Sequence, residues 1–153
     1  MQFKECYQNP FIEERADPYI TLGPDGFYYF TASYPMKSAD DKDGYDRVIL
    51  RRAKDISELA SAEEITIWKV ADTTLTHRFI WAPELHYIAG RWYVFYAGSE
   101  DKENNWAFDC HVLVCDSDDP YTGTWSEKGK FQKREDDDFS FTGFSLDMTY
   151  FED

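Results

Sequence analysis

The stretch that decides the fold is DPYITLGPDGFYYFTAS, residues 17–33, where an acidic residue opens a short strand and a glycine turn leads into an aromatic strand. The same order returns in ELHYIAGRWYVFYAGS, residues 84–99, and begins again in DMTYF, residues 147–151. The acidic residues that open these stretches are 67 and 63 residues apart (84 − 17 and 147 − 84). A period of this kind predicts a repeat architecture, with one acidic residue of each repeat facing a common axis.

Between these stretches, further strands and turns recur in one order. Residues 47–53 and 65–68 follow the first aromatic strand, with a helical turn in 54–64, and residues 111–115 and 124–126 follow the second. Four short antiparallel strands per repeat is the pattern of a β-propeller blade. A sandwich or barrel is the alternative for many short strands, but neither requires the strand order to repeat. We therefore predict an all-β propeller.

The predicted blades divide the chain into three parts. Blade 1 is about residues 16–70, blade 2 about 80–132, and the start of blade 3 about 143–153. Propellers contain about 4–8 blades, so two blades and the first strand of a third do not close a ring. Open blade edges are templates for strand pairing, which predicts self-association or a complementary chain that completes the propeller.

The composition excludes several classes of partner. The formal net charge is −14, whereas phosphate binding needs a basic surface, so neither nucleic acid nor an anionic membrane is expected to bind. A neutral sugar is not penalised by this charge. Aromatic residues make up 18% of the chain, which favours strands over helices.

The cysteines and the first residues predict a location. Cys6, Cys110 and Cys115 are few and odd in number, which argues against a disulfide framework and predicts free, partly buried thiols typical of a reducing compartment. The start, MQFKE, lacks the apolar stretch of a signal peptide. Together these features predict a cytoplasmic protein. The histidines lack metal-ligand spacing, so no metal and no cofactor is expected.

Acidic residues at the repeat starts are candidates for catalysis. Glycoside hydrolysis needs two carboxyl groups across a pocket, one to protonate the leaving oxygen and one to activate water or attack. Asp17 and Asp147 would project toward one pocket from innermost strands. The alternative for Asp17 is a turn cap. Glu84 is either catalytic or holds its strand through Arg78 or Arg91.

Aromatic side chains are the candidates for sugar contact. Trp81 precedes an innermost strand, so it is either a platform for a sugar ring or a residue that packs between blades. Tyr34 and Phe144 complete the candidate substrate-binding set.

Five motifs in order resemble glycoside hydrolase family 43: ADPYI at residues 16–20, DGFYYFT at 25–31, IWAPEL at 80–85, DPYTGTW at 119–125 and SLDMTYF at 145–151. Each motif is weak alone, but the ordered set runs over nearly the whole chain. The resemblance implies a five-bladed β-propeller whose relatives cleave arabinose or xylose units from plant polysaccharides with inversion.

The resemblance also implies roles for single residues. The family's general base falls on Asp17, the aspartate that tunes the pKa of the acid and orients it falls on Asp147, and the sugar-lining tryptophan falls on Trp81. The family's general acid is a glutamate on a later blade, and no glutamate of this chain lies in an equivalent motif.

The resulting prediction is a hydrolase that removes terminal α-L-arabinofuranosyl or β-D-xylosyl residues with inversion from an arabinose- or xylose-containing oligosaccharide. Lacking the general acid, these residues alone are predicted to be inactive. The alternative is a non-catalytic carbohydrate-binding or interaction module, because a propeller does not dictate one function.

Overall fold

The computed structural model describes residues 7, 9–38, 44–101, 103–104, 106–141 and 143–152. Each of its two four-stranded antiparallel sheets joins strands that are consecutive in sequence. The first sheet contains β1 (Ala16–Leu22), β2 (Tyr28–Ser33), β3 (Arg47–Ala53) and β4 (Ile65–Lys69). The second sheet contains β5 (Arg78–Ile88), β6 (Arg91–Ser99), β7 (Phe108–Cys115) and β8 (Trp125–Lys130). Short 3-10 helices span Ile56–Ala60 and Val70–Asp72. The all-β prediction is confirmed, whereas the blade boundaries remain a prediction.

The first sheet is covered on both faces, which explains why β2 and β3 are apolar almost throughout. Phe30 and Ile49 point to one face, where they pack with Leu59 of the first 3-10 helix. Tyr29 and Val48, the neighbours of these residues in sequence, belong to the core between the sheets. Alternate side chains of a strand point to opposite faces, so both sets of positions must be apolar here.

The main core lies between the two sheets and draws on both. Its buried members are Tyr29, Val48, Leu50, Trp68, Ile80, Leu85, Trp92, Val94, Tyr96, Leu113, Cys115 and Trp125. Trp92 is 1% exposed, and its indole nitrogen donates to the carbonyl of Asp118 at 2.9 Å. This core joins β2 and β3 of the first sheet to β5 and β6 of the second.

The innermost strands β1 and β5 contain a bulge at the same place. In the first sheet, residues 16–19 of β1 face residues 31–33 of β2, four residues against three. In the second sheet, residues 81–84 of β5 face residues 95–97 of β6 in the same way. A bulge of this kind adds one unpaired residue and re-aims the side chain that it carries.

These bulges correct the predicted alignment of the repeats. Asp17, Ala82 and Asp147 have left-handed backbones, with φ of 50°, 43° and 56°. Both steps between them are 65 residues (82 − 17 and 147 − 82). The prediction that Glu84 is equivalent to Asp17 is therefore wrong, because the bulge register places Glu84 at the position that corresponds to Tyr19. The second repeat carries alanine where the others carry an acid.

The segment after β8 stays hydrogen-bonded to the backbone of β7. The backbone nitrogen of Phe131 donates to the carbonyl of Cys110 at 2.9 Å, and that of Ser145 donates to the carbonyl of Phe108 at 3.1 Å. The strand predicted at 147–151 is not formed within the described part of the chain. An inner strand needs a ladder partner, and residues 143–152 have none among the described strands.

Two of the cysteines can be placed. Cys110 and Cys115 are free and buried, and burial raises the pKa of both thiols. Cys115 belongs to the core between the sheets, whereas Cys110 faces the other way along β7. Cys6 lies outside the described residues. No helix in the described ranges is long and apolar enough to cross a membrane.

Candidate functional site

The carboxylate of Asp17 is held at the β1 bulge by one buried serine. The hydroxyl of Ser33 donates to Oδ2 of Asp17 at 2.8 Å. The same hydroxyl oxygen accepts the backbone N–H of Ala82 at 2.7 Å. Ser33 is fully buried, while Asp17 is exposed. The carboxylate is thus anchored through one oxygen and open to solvent elsewhere.

The backbone at this point is unusual for the residues that it carries. A proline follows both Asp17 and Ala82, and a residue before proline normally takes an extended conformation. Left-handed backbone at a non-glycine residue costs about 1–3 kcal/mol and persists where the surroundings hold it. The hydrogen bonds of Ser33 supply part of that support at both positions.

Asp147 lies at the corresponding left-handed position of the third repeat and is exposed. Burial is the main cause that raises the pKa of Cys110 on β7, and the charges of Asp109 and Asp147 act in the same direction. Among the described residues, no hydrogen bond or ion pair joins Asp17 to Asp147. The structure therefore puts the two predicted acids at equivalent backbone positions without a direct contact between them.

A hydrogen-bonded chain joins the innermost strands of the two sheets. Nε2 of His86 lies 2.9 Å from Oε2 of Glu84, and Nδ1 of His86 lies 3.4 Å from the hydroxyl of Tyr19. Burial lowers the pKa of His86 although the charge of Glu84 acts in the opposite direction. A neutral ring that donates from Nε2 to Glu84 accepts the Tyr19 hydroxyl at Nδ1.

These hydrogen bonds change the role predicted for Glu84. Its hydrogen-bond partner is His86, two residues further along the strand, and not Arg78 or Arg91. Sequence reasoning missed the pair, although residues two apart on a strand point to the same face and a Glu-x-His pattern is therefore a readable signal.

Trp81 lies in an aromatic cluster that is separate from the main core between the sheets. Its ring stacks on Phe108 with centroids 4.2 Å apart, and Tyr45, just before β3, meets it edge-on at 5.7 Å. Phe144 packs on the other side of the cluster, 5.6 Å from Phe108. Trp106 is 69% exposed and meets Trp81 edge-on at 6.3 Å. The buried indole nitrogen of Trp81 has no hydrogen-bond partner within the described part of the chain.

Tyr34, the third predicted aromatic residue, lies outside this cluster. The guanidinium groups of Arg15 and Arg47 lie over its ring, 4.3 and 4.5 Å from the centroid. Its carbonyl accepts the N–H of Tyr45 at 2.5 Å, so it is linked to the cluster only through backbone. The structure therefore brings Trp81 and Phe144 together and leaves Tyr34 apart.

An ion-pair network fixes the chain just before Asp17. Glu64 accepts hydrogen bonds from Arg15 and Arg51, and all three side chains are at most 18% exposed. Burial would raise the pKa of Glu64, but the two guanidinium groups outweigh it and hold that pKa below its ordinary range. A carboxylate with a lowered pKa stabilises the fold above its unfolded pKa of about 4.3, and this contribution is lost as the pH falls through the folded value.

We expect the substitution Glu64→Gln to lower the free energy of unfolding by about 1–3 kcal/mol at neutral pH, because three charge-assisted hydrogen bonds from Arg15 and Arg51 are weakened. The difference from the parent should shrink as the pH drops below about 4. Urea denaturation across this pH range measures it. Glu14→Gln, which breaks an exposed ion pair with Lys37, is the control and should change little. A Glu64→Gln deficit that does not vary with pH would contradict the ionic origin.

His111 is a buried histidine on β7. It is 1% exposed and stacks on Tyr96 at 5.2 Å, and neither ring nitrogen makes a hydrogen bond to the described residues. Its Nε2 lies 3.6 Å from Oε1 of Glu100, too far for a hydrogen bond. Burial lowers its pKa, so the ring is neutral. Within the described ranges no cluster of three or more potential ligands would hold a metal ion.

Comparisons with known proteins match most of the chain. The sequence model described as "Glycosyl hydrolases family 43" matches residues 7–153. Two proteins named "Extracellular exo-alpha-(1->5)-L-arabinofuranosidase", from Streptomyces avermitilis and Streptomyces chartreusis, are 41% identical over 145 residues, which is 95% of this chain. The chain spans 27% and 40% of the length of these two relatives.

A solved structure gives the same picture of the fold. The crystal structure of an α-L-arabinofuranosidase from Lactobacillus brevis is 38% identical, with a TM-score of 0.78 over 95% of this chain. The chain covers 43% of that protein. The prediction of a partial β-propeller domain is thereby confirmed.

The predicted cytoplasmic location is contradicted by this comparison, because both Streptomyces relatives are named extracellular. Two features misled the prediction. Free buried thiols are compatible with secretion, because a buried thiol is shielded from oxidants. The first residues of a sequence that spans less than half of its relatives do not report on export.

Proposed function

The chain belongs to glycosyl hydrolases family 43, and on this premise we propose that it is part of a secreted hydrolase that removes terminal α-L-arabinofuranosyl units with inversion. The names of the Streptomyces relatives and of the Lactobacillus brevis structure support arabinofuranosyl as the unit cleaved. The observation that carries the proposal is the exposed Asp17 carboxylate, anchored through Oδ2 by a buried serine.

In this mechanism Asp17 is the general base. It takes a proton from a water molecule as the water oxygen bonds to the anomeric carbon, on the face opposite the leaving oxygen. Inverting sites keep base and acid about 6.5–9.5 Å apart, which leaves room for that water. The anchoring of Asp17 through a single oxygen suits this task, because a carboxylate with both oxygens bonded has less capacity to accept.

We assign the remaining roles as follows. Asp147 orients the general acid and tunes its pKa, from the third left-handed position. Trp81 and Phe144, which share the Phe108 ring, form the wall against which the sugar lies. No residue among 7–153 is assigned as the acid, so hydrolysis needs further parts of the full-length protein, and these residues alone are expected to be inactive.

The test uses the full-length protein with two aryl glycosides, 4-nitrophenyl α-L-arabinofuranoside and 4-nitrophenyl β-D-xylopyranoside. We expect release of nitrophenol from the arabinofuranoside at the higher kcat/KM. Proton NMR at early times should show the β-anomer of arabinose as first product. Release of the α-anomer would contradict inversion, and binding of arabino-oligosaccharides without hydrolysis would support the non-catalytic alternative instead.

A further inference from the structure

The contact between Asp17 and Ser33 has no counterpart in the second sheet. Ala16 pairs with Ser33 across the first bulge, and Trp81 pairs with Ala97 across the second. The position that corresponds to Ser33 is therefore Ala97. Since Ala82 corresponds to Asp17, the first sheet carries an aspartate and a serine where the second sheet carries two alanines.

Comparing the two sheets shows whether the bulge depends on the contact between Asp17 and Ser33. The second sheet makes the same four-against-three bulge, and Ala82 has the same left-handed backbone as Asp17, with no hydroxyl at position 97. The second bulge therefore forms without a serine at position 97 of its own sheet, although the N–H of Ala82 is bonded to Ser33 from the first sheet. The hydroxyl of Ser33 occurs only in the sheet where a carboxylate stands opposite it.

The hydroxyl of Ser33 is also oriented. Its oxygen accepts the N–H of Ala82 at 2.7 Å, which leaves its one proton for Oδ2 of Asp17 at 2.8 Å. Ser33 is fully buried, so its hydroxyl is shielded from bulk water, whereas the Asp17 carboxylate is exposed. The position of the carboxylate is consequently set by the backbone of the neighbouring sheet.

We propose that Ser33 is a positioning residue for hydrolysis: it engages Oδ2 of Asp17 and leaves Oδ1 as the oxygen that receives the proton from water. This inference rests on the function proposed above. One O–H bond of water breaks and its proton goes to Oδ1 while the water oxygen bonds to the anomeric carbon. The bond to the leaving oxygen breaks, and that oxygen takes its proton from the general acid.

The experiment compares Ser33→Ala, Ser33→Cys and Ser33→Thr in the full-length protein with 4-nitrophenyl α-L-arabinofuranoside. Cysteine is slightly larger than serine and its thiol donates weakly, whereas threonine keeps the hydroxyl and adds a methyl group. We expect Ser33→Ala and Ser33→Cys to lose kcat by about 10- to 100-fold per folded molecule, the cost of a misplaced catalytic group. KM should stay within about 2-fold, and Ser33→Thr should recover most of kcat.

Ser99→Ala is the matched control, because Ser99 is also fully buried at the end of its strand and its hydroxyl bonds the carbonyl of Asn104 at 3.2 Å. Its kcat should equal that of the parent. A packing role would make Ser33→Cys as active as Ser33→Thr, and this result would overturn the inference.

The two proposals fail in different ways. If Asp17→Asn abolishes turnover while Ser33→Ala has normal kcat, the role of Ser33 is wrong and the proposed function stands. If Asp17→Asn is active, or the parent hydrolyses no arabinofuranoside, the proposed function is wrong and the role of Ser33 falls with it.

Discussion

Replacing Asp17 by asparagine in the full-length protein should lower kcat for 4-nitrophenyl α-L-arabinofuranoside by about 10²–10⁴-fold or more, the usual contribution of a general base. Asparagine keeps the shape of the side chain, and its amide oxygen still accepts the hydroxyl proton of Ser33. It cannot take a proton from water. The fold should be intact, because the same bulge forms around Ala82.

The measurement is kcat with the thermal midpoint of unfolding recorded on the same samples. Asp136→Asn is the control, since this aspartate pairs with Arg134 on the surface and has a side chain 73% exposed. It should leave kcat unchanged. Normal hydrolysis by Asp17→Asn would show that another group activates the water, and a large drop in the midpoint would show that Asp17 supports the fold instead.

The largest effect on stability is expected for Trp92→Ala, which should lower the free energy of unfolding by about 3–5 kcal/mol. The Trp92 side chain is 1% exposed in the core between the sheets. Its ring meets Tyr29 at 5.1 Å and Tyr87 at 5.0 Å, and its indole donates to Asp118. The substitution opens a cavity and removes the hydrogen bond to the carbonyl of Asp118.

Urea denaturation of the full-length protein measures this loss. Trp106→Ala removes the same side chain from a site that is 69% exposed, and it should change the free energy of unfolding by at most about 0.5 kcal/mol. Trp92→Phe should retain most of the stability, because it preserves an aromatic ring in the core. Equal effects of Trp92→Ala and Trp106→Ala would mean that the two sheets do not depend on this core.

Much of the fold could be predicted from the sequence, because the residue patterns that mark strands and turns match the observed strands. The third strand was predicted at residues 47–53 and is observed there. Runs of aromatic and β-branched residues bounded by Gly and Pro turns mark strands well. The fifth strand was predicted to begin at Glu84 and begins at Arg78, because Pro83 sits within the bulge rather than before the strand.

The candidate site was harder to predict, since it depends on register. Aligning the repeats by charge put Glu84 with Asp17, whereas aligning them by proline, Pro18 with Pro83, gives the observed bulges. The left-handed backbone of Ala82 cannot be predicted from its sequence, because alanine does not favour that conformation. The serine that anchors the carboxylate lies sixteen residues further on, and only strand pairing reveals it.

Because the two bulges have the same register, the second sheet offers a position for the same catalytic carboxylate. Position 82 already has the backbone that presents a carboxylate, and position 97 lies where a supporting hydroxyl belongs. Two substitutions, Ala82→Asp with Ala97→Ser, would copy the acid and its support from one blade to the next. A scaffold built from such interchangeable units lets an engineer, or natural selection, relocate a reactive group around the axis without redesigning the chain that carries it.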